Sequence, residues 1–183
     1  RQRQMCIRDE DYAFSDCSAL VEVSIPSSVD EIGSCAFNYC TALSSIVIPD
    51  SVTEIEEGAF SECRALTTVV LPNSLTEISD YLFSCCPSLS DILIPASVTE
   101  IETGAFQRCT SLVSIAIPDS VTEIEDIAFS ECSALRSVLL PASVTEIGVG
   151  AFDKCPNLTL TVFRNSYAER YAQRNHIPYT YAD

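Results

Sequence analysis

The sequence predicts an α/β, strand-rich repeat solenoid, and three observations carry this prediction. Proline, phenylalanine, cysteine and leucine each recur every 23 residues without a single insertion. Apolar residues make up 47% of the 183 residues, which is enough for a continuous core. Each unit also contains a short apolar stretch that ends at a proline, which is typical of a strand end. A fixed period in this range indicates stacked units that bury their apolar side chains against one another.

Six full units run from Ile25 to Val162, and a half unit of residues 11–24 precedes them. Within the repeat, residues 66–71 predict a short strand, residues 75–78 a second extended stretch, and residues 56–60 a helical turn with phenylalanine packed inward. Stacking then places equivalent residues in columns. Two columns are predicted to form the structural core: Phe37, Phe60, Phe83, Phe106, Phe129 and Phe152, and Cys40, Cys63, Cys86, Cys109, Cys132 and Cys155.

The charge of the chain excludes several classes of function. The 26 acidic residues outnumber 10 basic ones, and residues 11–158 hold 22 acidic and 4 basic residues, a net charge of −18. Nucleic acid is therefore excluded as a partner, because phosphate binding needs a basic surface. No apolar run reaches the ~18 residues of a membrane span. No set of residues has the spacing of a cofactor site or a metal site, so neither is expected.

One acidic column has two interpretations: a solvated face that keeps the protein soluble, or a surface that attracts divalent cations or a basic partner. Its members are Glu31, Glu54, Glu77, Glu100, Glu123 and Glu146. The cysteine column also has two interpretations. Buried, unreactive thiols are favoured over a redox ladder or a metal column, because metal sites cluster their ligands. Cys6, Cys35 and Cys85 lie outside the column, and the sequence does not determine whether any of them pair.

A third column faces outward from the predicted strands, between the buried positions. It combines apolar and polar residues that differ from coil to coil, and outward apolar residues on a sheet indicate either β propensity or an interaction surface. Aromatic residues are missing from it, which argues against a tight binding hot spot. We call its candidate partner-binding residues the strand face: Val47, Thr68, Val70, Asp91, Leu93, Ser114, Ala116 and Leu139.

The repeat pattern IPxSVTEIxxxAFxxCxxLxxI resembles the BspA-like (Treponema pallidum-type) leucine-rich repeat, from residue 11 to about residue 162. The segment NSYAERYAQR at residues 165–174 is similar to the terminal helix of such arrays. The resemblance implies about six and a half coils with a short parallel strand ladder, helical turns and a C-terminal helical cap. It places a repeat domain at residues 11–162 and a cap at residues 163–183. Residues 1–10, RQRQMCIRDE, do not follow the repeat pattern and are expected to be a non-native or disordered leader.

The same resemblance implies a function. Members of this family are largely surface or secreted proteins, and those studied mostly bind host or matrix proteins. It therefore implies a non-catalytic, adhesin-like protein-binding module of a surface or secreted protein, and a monomer is expected. A passive spacer for another domain is the alternative. An enzyme is the least expected, since polar residues that recur identically along an array form ladders and not pockets.

Overall fold

Parallel strands from successive coils form the frame of the molecule, seen in a computed structural model that describes residues 11–182. Every full coil contributes a two-residue strand of sequence Glu-Ile: β1 (Glu31–Ile32), β3 (Glu54–Ile55), β5 (Glu77–Ile78), β6 (Glu100–Ile101), β8 (Glu123–Ile124) and β10 (Glu146–Ile147). A second set lies at the strand face: β2 (Ser45–Val47), β4 (Thr68–Val70), β7 (Ser114–Ala116), β9 (Ser137–Leu139) and β11 (Thr159–Val162). The chain is a strand-rich solenoid, as the sequence predicts.

Pairing joins equivalent residues of neighbouring coils, such as Glu31 with Glu54 and Ile46 with Val69. Because each strand alternates its side chains between two faces, this register keeps all inward positions in one core. The phenylalanine rings stack from Phe14 to Phe152, with neighbouring centroids 5.1 to 5.9 Å apart. Each coil is therefore buried mainly against copies of itself.

The turns that carry the phenylalanines differ from helical turns. In the coil of residues 48–70, the amide of Ala59 donates to the carbonyl of Glu56, while the amide of Phe60 donates to Leu82 in the next coil. Gly58 and Glu62 are left-handed, with φ of 62° and 60°. The turn thus divides its hydrogen bonds between its own coil and the next one. Within residues 11–182, α1 (Tyr167–Arg174) is the single α-helix.

One left-handed column alternates between larger residues and glycine: Cys35, Gly58, Tyr81, Gly104, Ile127 and Gly150. The ring of Tyr81 lies over Gly104, where an added Cβ would be 2.5 Å from the Cε1 atom of Tyr81. A Cβ on Gly58 would lie 3.2 Å from the Sγ atom of Cys35. Glycine therefore serves two purposes in this column, since it adopts the positive φ easily and makes room for the side chain of the preceding coil.

Among the full coils, the Glu-Ile ladder stops at one junction, between the coils of residues 48–70 and 71–93, and the strand-face ladder is interrupted across the whole coil of residues 71–93. Sheets β1-β3 and β2-β4 lie before it, and sheets β5-β6-β8-β10 and β7-β9-β11 lie after it. Residues 91–93 form no strand, and aspartate, here Asp91, is disfavoured in strands. The predicted ladder thus forms in two segments. We call this junction the ladder gap; the Phe60–Phe83 stack and a hydrogen bond from the Gly58 amide to the Asp80 carbonyl cross it.

A helix and a final strand close the C-terminal end. The N-cap residue Ser166 accepts a hydrogen bond from the Glu169 amide at 3.1 Å, and the Glu169 carboxylate accepts one from the Asn165 amide at 2.6 Å. This reciprocal arrangement resembles a capping box. Tyr171 packs its ring edge-on against Phe152 at 6.3 Å, and β12 (Tyr179–Tyr181) extends the sheet beyond β11. The helix therefore covers the apolar end of the last coil.

Candidate partner-binding face

All eight residues of the strand face are exposed to solvent. In each strand they flank a buried residue, such as Ile46, Val69 or Val138. Leu93 has 79% and Val47 63% of its surface exposed, and Val70 and Leu139 are about half exposed. The structure thus brings these residues together on one surface, along which large apolar side chains lie in three successive coils, at Val47, Val70 and Leu93, and again at Leu139. Residues 91–93 belong to this surface although they form no strand.

The Glu-Ile strands place one carboxylate per coil on a second surface. Three carboxylates, those of Glu77, Glu100 and Glu102, have oxygen atoms within 4.8 Å of one another. Burial and the nearby carboxylates of Glu77 and Asp80 raise the pKa of Glu102 to about 7. Burial and the neighbouring Glu100 likewise raise the pKa of Glu77. The oxygen atoms of these three side chains are close enough to share a metal ion. The sequence pattern placed Glu77 and Glu100 in the acidic column but did not bring Glu102 to them.

The column cysteines are hydrogen-bond donors in the core. The Sγ atom of Cys63 lies 3.2 Å from the carbonyl oxygen of Phe37 in the preceding coil, and every other predicted column cysteine makes the equivalent contact. Burial raises the pKa of Cys63 and of Cys109 to about 12, so both thiols keep their protons at neutral pH. This favours the interpretation of buried thiols over a metal column, which needs thiolates.

All nine cysteines in the part of the chain that the structure describes are free thiols. Cys40, Cys63, Cys86, Cys109 and Cys132 are buried, and Cys155 is half-buried at the end of the column. Cys35 and Cys85 are half-buried outside the column, and Cys6 lies outside the described residues. The phenylalanine column from Phe37 to Phe152 is buried throughout.

A ladder of serines was missed by the sequence analysis. In five successive coils a serine Oγ donates to a backbone carbonyl of the preceding coil at 2.5 to 2.7 Å: Ser51, Ser74, Ser97, Ser120 and Ser143. Serine recurs at this position every 23 residues, so the signal was present in the sequence. These side chains join the coils beside the Glu-Ile strands.

Few cations balance the acidic residues of the repeats. The carboxylate of Glu131 accepts hydrogen bonds from Nε of Arg108 at 2.9 Å and from Nζ of Lys154 at 2.7 Å, and each of these cations belongs to a neighbouring coil. These hydrogen bonds lower the pKa of Glu131. Because all three side chains are accessible to solvent, such pairs contribute little to the free energy of unfolding.

No helix among the described residues is long and apolar enough to cross a membrane. A family profile described as BspA type leucine rich repeat region (6 copies) matches residues 7–113 and 76–173. A comparison with curated proteins finds no match.

Solved structures with the same architecture include several bacterial proteins. The leucine-rich repeat protein of T. pallidum is 38% identical, with a TM-score of 0.80 over 93% of this chain and 77% of that one. A leucine-rich repeat protein from Bacteroides ovatus is 28% identical, with a TM-score of 0.73 over 94% of this chain and 49% of that one. A leucine rich cell surface protein from Faecalibacterium prausnitzii is 32% identical, with a TM-score of 0.57 over 84% of this chain and 57% of that one.

The chain thus spans about half the length of the B. ovatus protein and about three quarters of the T. pallidum protein. The profile match covers most of the residues, including all six full coils of the structure. The chain belongs to the BspA type leucine-rich repeat region family.

Proposed function

We propose that this domain is a non-catalytic, adhesin-like protein-binding module, with the strand face as its contact surface. The observation that carries the proposal is the row of large apolar side chains left exposed there, above all Val47, Val70, Leu93 and Leu139. Contiguous apolar groups on the surface of a soluble protein mark interaction sites. The segments that hold them are anchored by buried neighbours in the core, so binding would cost little ordering entropy.

The variation along the strand face supports the same function. Successive coils present different residues there, including Asp91, Ser114 and Ala116, whereas the Glu-Ile strands repeat one chemistry. A repeated surface offers every partner the same contact, so specificity needs the variable one. The family is consistent with protein binding, and the F. prausnitzii relative is described as a cell surface protein. We therefore propose a surface or secreted setting, with a host-surface or matrix protein as partner.

A passive spacer is the second candidate, and the composition of the strand face favours it. Aromatic side chains anchor most tight interfaces, and none lies among the eight residues of the strand face. Six coils at the ~4.8 Å strand spacing would hold a neighbouring domain roughly 30 Å from a surface. A spacer would show no preference for a ligand, so substitutions on the strand face would not change its interactions.

The experiment replaces Val70 and Leu93 together by glutamate and measures binding to immobilised, purified extracellular-matrix proteins. The module predicts at least a tenfold loss of binding and a melting temperature within a few degrees of the wild type, because both side chains face outward. The matched control, Glu77→Gln with Glu100→Gln, should change only the salt dependence of association. Binding that survives the first pair and disappears with the second would place the contact on the acidic surface. If the wild type and both double variants bind the matrix proteins equally, the domain is a spacer.

A further inference from the structure

The sheet of the strand face has an open edge at its N-terminal end. β2 pairs with β4 on one side only. On its other side lie residues 22–24 of the half unit, which form no strand. The amide of Ser44 reaches the carbonyl of Val21 at 3.4 Å, a long hydrogen bond, and the two segments diverge beyond it. An unpaired edge of this kind is a template for another strand.

The divergence opens a groove of about 620 Å³ between the half unit and β2. Residues 22–25 form one wall, and Ser45 to Val47 with Pro49 form the other. The half-buried Val23 lies along it, and Val47 stands 63% exposed beside it. Glu22 adds an exposed carboxylate. The groove therefore combines an apolar lining with a negative charge.

The backbone of β2 also faces the groove. The amide of Ile48 donates to the carbonyl of Val70 at 3.0 Å, so the backbone groups of Ile48 point toward β4. Neighbouring residues in a strand direct their amide and carbonyl groups to opposite sides. Val47 accordingly directs its amide and carbonyl away from β4, toward residues 22–25. These groups are strong donors and acceptors that an added strand would satisfy.

We propose that this groove binds an extended basic segment of a partner polypeptide, which adds to the free edge of β2 as a new strand. The proposal rests on the proposed function, because Val47 belongs to the strand face. Strand addition takes its affinity from main-chain hydrogen bonds and its specificity from alternate side chains. Glu22 and the net charge of −18 over residues 11–158 select lysine or arginine. Val23, which occupies the inward position equivalent to Ile46, selects β-branched apolar residues at the alternate positions.

The probe is a fluorescent, end-blocked Lys-Val-Lys-Val-Lys-Val peptide, titrated with the full chain and followed by fluorescence anisotropy. Strand addition predicts binding that weakens at least tenfold when the amides on one edge of the peptide are N-methylated, since this removes backbone donors and keeps the charge. The Glu-Val counterpart should not bind. Equal binding of the methylated peptide would overturn strand addition, and equal binding of the Glu-Val peptide would overturn the charge selection.

Two pairs of variants locate the site on the protein. Val47→Pro removes the free amide at a strand edge, where proline is tolerated, and should weaken binding at least tenfold relative to Val47→Ala. Glu22→Gln should weaken binding about threefold relative to Glu54→Gln, which removes the same charge from the other surface. Circular dichroism verifies that each variant is folded. Equal affinities within each pair would overturn the assignment to this groove.

Sedimentation of the wild type and of Val47→Pro tests the competing occupant. Self-association that disappears in the variant would assign the groove to a second copy and overturn the proposal, whereas monomers in both cases support it. Failure of the proposed function remains distinguishable. If the Val70→Glu, Leu93→Glu variant keeps matrix binding while the wild type binds the Lys-Val peptide by strand addition, the proposed contact surface is wrong and the groove proposal stands. If the variant loses matrix binding but the peptide does not bind in the groove, the groove proposal is wrong and the proposed function stands.

Discussion

The phenylalanine column and the strand face belong to the same coils but follow opposite rules. The interior position is phenylalanine in every coil from Phe14 to Phe152. The exposed position two residues before the repeating proline changes from coil to coil, as Val70, Leu93 and Ala116 show. The difference has a physical cause. An interior ring must fit the rings of the two neighbouring coils, so the same residue type is required at that position in every coil. An outward side chain meets solvent, and only a partner would constrain it.

The largest expected effect tests that contrast directly. Phe106→Ala leaves a cavity in the middle of the stack and should lower the free energy of unfolding by about 3 to 5 kcal/mol. Leu93→Ala, at a side chain that is 79% exposed, should cost less than about 0.5 kcal/mol. Urea denaturation followed by circular dichroism measures both. Equal costs would mean that the inward and outward faces are not separated as described.

The alternating glycine column sharpens the comparison, because its turns carry the core phenylalanines and also depend on the neighbouring coils. Gly104→Ala places a Cβ 2.5 Å from the ring of Tyr81 at a positive φ, so we expect a loss of about 2 to 3 kcal/mol. Gly58→Ala, with 3.2 Å to a single sulfur atom, should lose about 1 kcal/mol. Both are read from denaturant midpoints. Tyr81→Ala should recover part of the loss in Gly104→Ala; no recovery would contradict the steric explanation.

The serine ladder predicts a smaller effect. Ser97→Ala removes a 2.6 Å hydrogen bond to the Leu75 carbonyl in a partly buried position, which should cost about 1 kcal/mol. Thr99→Ala removes an exposed 3.2 Å contact and should cost less than about 0.5 kcal/mol. Thermal melts of the two variants are compared with the wild type. If Thr99→Ala is the more damaging, the serines do not join the coils.

The acidic surface predicts a dependence on pH. The pKa of Glu102 is about 7 in the folded protein against 4.5 for an ordinary glutamate, so the folded state holds an extra proton between these values. Stability from this residue is therefore complete below pH 4.5 and decreases as the pH rises toward 7. After allowance for solvent screening, Glu102→Gln should add up to about 1 kcal/mol at pH 7.5 and almost nothing at pH 4.5. An equal effect at both values would contradict the raised pKa.

Much of the fold follows from the sequence because its period is exact. Phe60, Cys63 and Leu66 recur at one spacing, and a stacked array then places their equivalents in columns. The Glu-Ile strands also lie where the local pattern predicts extended chain, and the helix after Ser166 lies where the family resemblance implies it. The helical turns are different, since a column of left-handed residues divides their hydrogen bonds between coils. Non-glycine residues such as Tyr81 and Ile127 occupy that column, and side-chain type alone does not indicate a positive φ.

The candidate site is predicted less completely. The alternation of strands identifies the exposed positions of the strand face, including Val70 and Leu139, but periodicity does not show where a ladder stops. The interruption at residues 91–93 and the divergence of residues 22–25 from β2 depend on hydrogen bonding between coils. The cluster of Glu77, Glu100 and Glu102 was missed for a related reason, because it combines positions from two different columns.

The ladder gap gives the solenoid a preferred place to come apart. A linear array behaves as a chain of nearest-neighbour couplings, and its weakest coupling decides where a boundary between folded and unfolded segments rests. Between full coils, this is the junction that lacks both kinds of strand pairing, while the Phe60–Phe83 stack and the turn hydrogen bonds remain. Residues 11–70 and 71–182 should thus exchange amide hydrogen as two blocks, the shorter one opening first. Under tension along the axis, the array should separate at the same boundary.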